Sequence, residues 1–168
     1  MMTNFKINDY CVYRTHGVAK ITDIQNIKIG KDDTKCLVLY FEKEKLTLLA
    51  PLQSDGGDIR KISTAADMDK VVTILRGGAK KTKSMWSKRA KEYRDRISSG
   101  DIFQTAEVLR DLIRGVDEAD RSFSERNIYD LAIYRIASEY AIVKKISYEE
   151  AEKRVCEMAK DKAKSADG

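Results

Sequence analysis

The stretch that decides the fold is residues 46–76, LTLLAPLQSDGGDIRKISTAADMDKVVTILR, because the spacing of its apolar residues changes within it. Residues 46–51 form an apolar run of strand length, and a turn-like segment containing two glycines follows them. Farther on, apolar residues recur at helical spacing, as in Met68, Val71 and Leu75. The chain therefore changes from strand to helix periodicity near residues 63–67.

Upstream of this change the sequence predicts an antiparallel sheet. Residues 10–14 (YCVYR), 18–29 (VAKITDIQNIKI) and 36–42 (CLVLYFE) are strand-like runs separated by turn residues. The apolar spacing drifts within residues 18–29, which predicts a β-bulge or a strong bend. Residues 59–62 supply a further short strand. Short strands at this density are typical of a small, strongly bent antiparallel barrel.

Downstream of the change the sequence predicts a series of helices. Asp67 is predicted to cap the first helix, which Gly77 stops, and Ser84 is predicted to open a second helix that runs to Ile97. Three later helix starts have the capping-box spacing, in which Ser or Asp precedes Glu or Gln by three residues. These pairs are Asp101 and Gln104, Ser122 and Glu125, and Ser147 and Glu150.

The two halves together predict the α+β class with two domains. An antiparallel β-barrel is expected over residues 1–64, followed by an all-α helical bundle over residues 67–163. The 168 residues suffice for two small domains. A hydrophobic content of 42%, beside 35% charged residues, argues against a largely disordered chain.

Three features predict a reduced cytoplasmic protein without membrane association. The longest apolar runs are far shorter than a membrane span. Residues 1–8 lack the basic and apolar regions of a signal peptide. Cys11, Cys36 and Cys156 are odd in number and widely spaced, which favours free thiols over a disulfide framework or a zinc site.

No set of residues predicts catalysis, so we expect that the chain is not an enzyme and has no catalytic residue, metal or cofactor. His16 is the only histidine, and its place in a turn favours a structural role. Gly77 and Gly78 precede lysines, but a phosphate-binding loop needs glycine, four residues and then Gly-Lys-Ser or Gly-Lys-Thr after a strand.

The basic segment at residues 80–96 is the strongest functional signal. It contains eight lysines and arginines against Glu92 and Asp95, in a chain whose net charge is +5. Such a concentration of charge attracts polyanions, although it also suits a solvated helix face. The segment contains the only tryptophan, Trp86, which shares a helical stripe with Tyr93. From these residues alone, Trp86 is either the first core residue of a helix or a ring that presses on DNA.

The order of several motifs resembles the CarD/CdnL family of bacterial transcription regulators. Residues 85–101 (MWSKRAKEYRDRISSGD) and 106–115 (AEVLRDLIRG) are similar to the signature of that family's C-terminal domain. Residues 9–13 (DYCVY) followed by 16–18 (HGV) are similar to its N-terminal motif. The resemblance extends over about residues 5–143 in the same order, which makes it more specific than any single motif.

The resemblance implies a Tudor-like N-terminal domain that binds the β subunit of RNA polymerase, and a helical domain that contacts promoter DNA. In the family, a tryptophan acts as a wedge in the minor groove at the upstream edge of the transcription bubble and stabilises the open complex. By motif match Trp86 takes this role, and Lys88, Arg89 and Lys91 contact phosphates. We therefore expect Trp86 to be largely exposed to solvent and DNA binding to tolerate many sequences.

The expected polymerase contacts are Ile27, Lys28, Leu49 and Pro51. Leu49 stands where family members often carry a basic residue, so this contact would rely on pairing between backbone strands. We expect the protein to act as a monomer. The alternative is a polymerase-binding adaptor whose basic helix recruits an acidic protein partner instead of DNA.

Overall fold

The computed structural model describes residues 5–52, 57–78, 85–115 and 122–160. The chain divides into two compact units, Met1–Ile62 and Ser63–Gly168. We call them the sheet unit and the helical unit. Strands occupy the first and helices the second, which confirms the predicted α+β class.

The described residues of the sheet unit form a five-stranded antiparallel sheet. Its strands are β1 (Tyr10–Tyr13), β2 (Gly17–Ile29), β3 (Asp32–Phe41), β4 (Leu46–Pro51) and β5 (Ile59–Lys61). They lie in the order β4-β3-β2-β1-β5, so β4 and β5 are its two edge strands. The register between β2 and β3 shifts between Ile21 and Asp23, which confirms the irregularity predicted from the apolar spacing.

Alternate residues of the strands build the core of the sheet unit. Ile21, Leu37 and Leu39 are fully buried, and the Phe41 ring lies beside them. The His16 ring packs on Phe41, with 5.2 Å between the ring centroids, and its Nδ1 lies 2.9 Å from the hydroxyl of the preceding threonine. These contacts agree with the structural role predicted for His16.

The described residues of the helical unit form five helices around one apolar core. They are α1 (Ala65–Arg76), α2 (Trp86–Ser98), α3 (Ile102–Gly115), α4 (Phe123–Lys144) and α5 (Tyr148–Lys160). Ala90, Tyr93 and Ile97 form the buried stripe of α2, as the sequence predicts. The packing thereby fixes which side of α2 faces the core and which side faces solvent.

The predicted caps of the later helices are confirmed, and the first one needs a correction. The side chain of Ser122 accepts a hydrogen bond from the Glu125 amide at 3.1 Å, which caps α4. At α1 the N-cap is Thr64, and the predicted cap, Asp67, is instead its partner three residues later. The prediction was wrong because both members of a capping box have cap-forming side chains. Ser84 lies outside the described residues, and Met85 is the N-cap of α2.

Candidate nucleic-acid interface

The N-terminus of α2 carries cations where the stability of a helix favours acids. α1, α4 and α5 each place an acidic residue in the first turn; α2 and α3 have none there, but Asp101 precedes α3 and accepts a hydrogen bond from its Phe103 amide. Met85 caps α2 without a side-chain hydrogen bond. The positive end of the helix dipole disfavours a nearby cation by about 0.3–1 kcal/mol. Lys88 and Arg89 therefore carry positive charge at a place where the helix dipole disfavours it.

Trp86 begins α2 and lies against the core of the helical unit. Its ring centroid is 6.2 Å from that of the buried Tyr93, and it packs as a partly buried side chain against the cluster. The expectation that Trp86 is largely exposed to solvent is therefore wrong. The reason is that Tyr93, two helical turns farther along the same stripe, gives the ring a surface to pack on.

Arg89 also contacts the Trp86 ring. Its Cζ lies 5.4 Å from the centroid of the Trp86 ring, within the range of a cation–π interaction. Its Nε is buried and has no hydrogen-bond partner among the described residues. Burial, followed by the carboxylate of Asp111, raises the pKa of Tyr93 above its usual value. Arg89 and the neutral Tyr93 thus both contact the Trp86 ring.

The remaining cations of α2 differ in how strongly other side chains hold them. Lys88 is exposed, and Lys91 is exposed but pairs with Asp95 at 3.1 Å, one helical turn away. Such exposed pairs contribute little to stability and exchange easily. Arg96 pairs with Glu107 of α3 at 3.1 Å. The structure thus presents Lys88 and Lys91 to solvent on the outer side of α2, with Arg89 folded over Trp86.

The four predicted polymerase contacts lie on two strands that β3 separates. Leu49 is 50% exposed on the edge strand β4, and Pro51 is exposed at its end. On β2, Ile27 is partly buried and Lys28 is exposed, opposite Thr34 and Asp33 of β3 respectively. Only Leu49 and Pro51 therefore belong to an edge that can pair with another strand.

Sequence reasoning missed Phe123. This side chain is 80% exposed at the first position of α4. The capping signal at Ser122 places it there, because the residue after an N-cap is the first of the helix. Its exposure could not be deduced from that signal, since other apolar residues of α4 are buried.

The parts of the chain that the structure describes contain neither a metal-binding cluster nor a helix that could span a membrane. Within those ranges, the histidine, cysteine and acidic side chains form no group of three or more that could hold a metal ion. Nor does any described helix combine the length and the apolar character needed to cross a membrane.

Comparisons with known proteins agree with the division into two units. Residues 5–63 match the CarD-like/TRCF RID domain, and residues 70–156 match the CarD C-terminal domain. A Bacillus subtilis (strain 168) protein named "Putative transcription factor YdeB" is 27% identical over 144 residues. This match spans 85% of the present chain and 94% of that protein.

Proposed function

Because the chain belongs to the CarD family, and is thus a non-enzymatic transcription factor that interacts with RNA polymerase, we propose that it stabilises the open promoter complex. In this proposal the sheet unit, within residues 1–64, binds the β subunit of polymerase. The helical unit, which contains the predicted domain of residues 67–163, binds promoter DNA at the upstream edge of the bubble. A single chain carries both contacts, so it acts as a monomer in the bacterial cytoplasm.

The observation that carries the proposal is the composition of the first two turns of α2. Trp86, Lys88, Arg89 and Lys91 place one large ring among three cations, without an acidic residue in the first turn. Lysine and arginine neutralise phosphates whatever the sequence of the DNA. An apolar ring beside them can press on the edge of a distorted base step in the minor groove.

The packing of Trp86 suggests how DNA engages the ring. Arg89 contacts the ring in the free protein, and a phosphate is a stronger partner for a guanidinium than an aromatic face. A DNA backbone that takes up Arg89 would therefore uncover part of Trp86. The uncovered ring stabilises opened DNA only if it contacts the bubble edge better than closed duplex.

The polymerase contact uses the free edge of β4. An edge strand exposes backbone donors and acceptors that can pair with a strand of another protein. Leu49 and Pro51 lie on this edge, and Ile27 and Lys28 flank it beyond β3. The polymerase contact and the DNA contact, each weak alone, reinforce each other, because binding to one partner raises the effective concentration of the other.

A second candidate function is the polymerase-binding adaptor, in which α2 recruits an acidic protein. The packing of Trp86 against Tyr93 favours this candidate, because a ring held inward is less available to DNA. The adaptor would need the same cations but no contact between the tryptophan and DNA.

The lifetime of the open complex tests the proposal. Purified bacterial polymerase is allowed to melt a promoter, a competitor is added, and the decay of open complexes is followed with and without the full chain. We expect a longer lifetime when the protein is present. An unchanged lifetime, with polymerase binding intact, would reject open-complex stabilisation and favour the adaptor.

A further inference from the structure

The described residues of the helical unit expose two large apolar side chains, Met85 (77% exposed) and Phe123 (80% exposed). Single exposed apolar residues are common and need no explanation. These two, however, both border the basic side of α2. Met85 directly precedes Trp86, and the residue after Phe123 is bonded to α2.

The link between Phe123 and α2 is a hydrogen bond across the two helices. Arg94 Nη2 donates to the hydroxyl of Ser124 at 3.3 Å. On α2, Lys91 lies three residues before Arg94 and therefore occupies the same side of the helix. On α4, the exposed Arg126 lies three residues after Phe123 and shares its side. Cations of both helices therefore lie close to the start of α4, where Phe123 is exposed.

We propose that Phe123 is a second apolar contact to DNA, which extends the surface of α2 onto the start of α4. This inference rests on the proposed DNA binding by α2. Eight residues separate Trp86 from Arg94, which corresponds to about 12 Å along the helix. At about 3.4 Å per base pair, Phe123 meets the duplex roughly three to four base pairs from the step that Trp86 contacts. The ring packs on deoxyribose and base edges while Arg94 and Arg126 face phosphates.

The charge around the ring favours DNA over a protein partner. The centre of a protein–protein interface is depleted in charged residues. The exposed part of α2 instead carries the cations Lys88, Lys91 and Arg94, which outnumber its exposed acids Glu92 and Asp95. An isolated apolar ring within a cationic surface is typical of nucleic-acid binding proteins, where phosphates supply most of the affinity.

The variant Phe123→Ala, made in the full chain, distinguishes the apolar contact of Phe123 from the contacts between lysines and phosphates. Binding is measured by fluorescence anisotropy with a labelled duplex that contains a permanently unpaired bubble, over a series of salt concentrations. We expect roughly tenfold weaker binding, the usual loss for one aromatic contact to nucleic acid. The slope of affinity against salt stays unchanged, because removing an apolar ring releases no counterion. Lys88→Ala, in contrast, lowers that slope by about one.

Two further variants control for shape and for nonspecific effects. Phe123→Leu keeps an apolar side chain and is expected to retain most of the affinity. Ile7→Ala removes another exposed apolar side chain, in the sheet unit, and is expected to change nothing. Unchanged DNA affinity of Phe123→Ala overturns the inference, as does a large drop in its melting temperature. Weaker polymerase binding without DNA also overturns it, because the ring would then contact protein.

Failure of this inference differs from failure of the proposed function. If the wild type binds the bubble duplex and Lys88→Ala weakens that binding, but Phe123→Ala leaves it unchanged, only this inference fails and α2 remains the DNA-binding surface. If the wild type does not bind the duplex at all, the proposed DNA binding and this inference both fall.

Discussion

The sheet unit and the helical unit present their surfaces in different ways. β4 is an edge strand, and its buried and exposed residues alternate. Leu49 and Pro51 are exposed beside the backbone of this edge. In α2, by contrast, the backbone groups between the first and the last turn are hydrogen-bonded within the helix, and recognition depends on side chains such as Lys88 and Lys91. A backbone edge recognises another strand by geometry, whereas exposed cations recognise charge and are screened by salt. The two units should therefore respond differently to salt and to mutation.

The largest effect is expected when one large side chain is removed from the core of the sheet unit. Phe41→Ala deletes a fully buried ring of the sheet unit, which costs about 3–5 kcal/mol of folding free energy. We expect polymerase binding to be lost while DNA binding by the helical unit persists. Circular dichroism melts and both binding assays on the same sample check this. Simultaneous loss of DNA binding would show that the units do not fold separately.

A smaller effect is expected at the edge of the sheet. Leu49→Asp places a charge beside the backbone that pairs with polymerase, and we expect binding to the β subunit to weaken roughly tenfold, or about 1.4 kcal/mol. DNA affinity stays unchanged. Thr47→Asp places the same charge on the same side of β4 and is the matched control. Comparing polymerase binding by the two variants shows how far the contact extends along the strand. Equal binding of wild type and Leu49→Asp to polymerase would exclude this edge from the contact.

The smallest effect concerns the exposed lysines of α2. Lys88→Ala and Lys91→Ala should each weaken DNA binding to a similar extent on every sequence and lower the salt slope by about one. Lys153→Ala removes an exposed lysine of α5 and serves as the control. If Lys88→Ala and Lys153→Ala are indistinguishable in a salt titration, the α2 lysines are only a solvated helix face.

Local sequence signals predicted most of the fold. Period and turn chemistry predicted five strands, the irregularity in β2 and the capped starts of α4 and α5, because each depends on residues a few positions apart. The error at α1, where Thr64 and not Asp67 is the N-cap, arose from two competing cap signals within one turn. Such errors are small because both residues still mark the same helix start.

The candidate site was harder to predict, because exposure depends on contacts between distant residues. The sequence identified the cations of α2 and the position of Trp86 at its start. It also placed Trp86 and Tyr93 on one helical stripe, but it did not indicate that Arg89 would contact the ring, nor that Phe123 would be exposed at the start of α4. Those features follow from how α2 and α4 pack.

The packing of Trp86 also changes what its removal should do to stability. A fully buried aromatic residue replaced by alanine costs about 3–5 kcal/mol, and an exposed one less than about 0.5 kcal/mol. Since Trp86 is only partly buried, we expect Trp86→Ala to cost about 1–2 kcal/mol, between these limits. The variant should therefore remain folded at 25 °C and can be assayed.

The most direct test of the central claim is the lifetime of the open complex with Trp86→Ala compared with wild type, at concentrations that saturate polymerase. We expect the variant to bind polymerase normally but to lose most of the added lifetime, and Trp86→Phe to restore part of it. A folded Trp86→Ala variant that extends the lifetime as much as wild type would contradict the account, because Trp86 would then be a packing residue of α2 and not a contact to opened DNA.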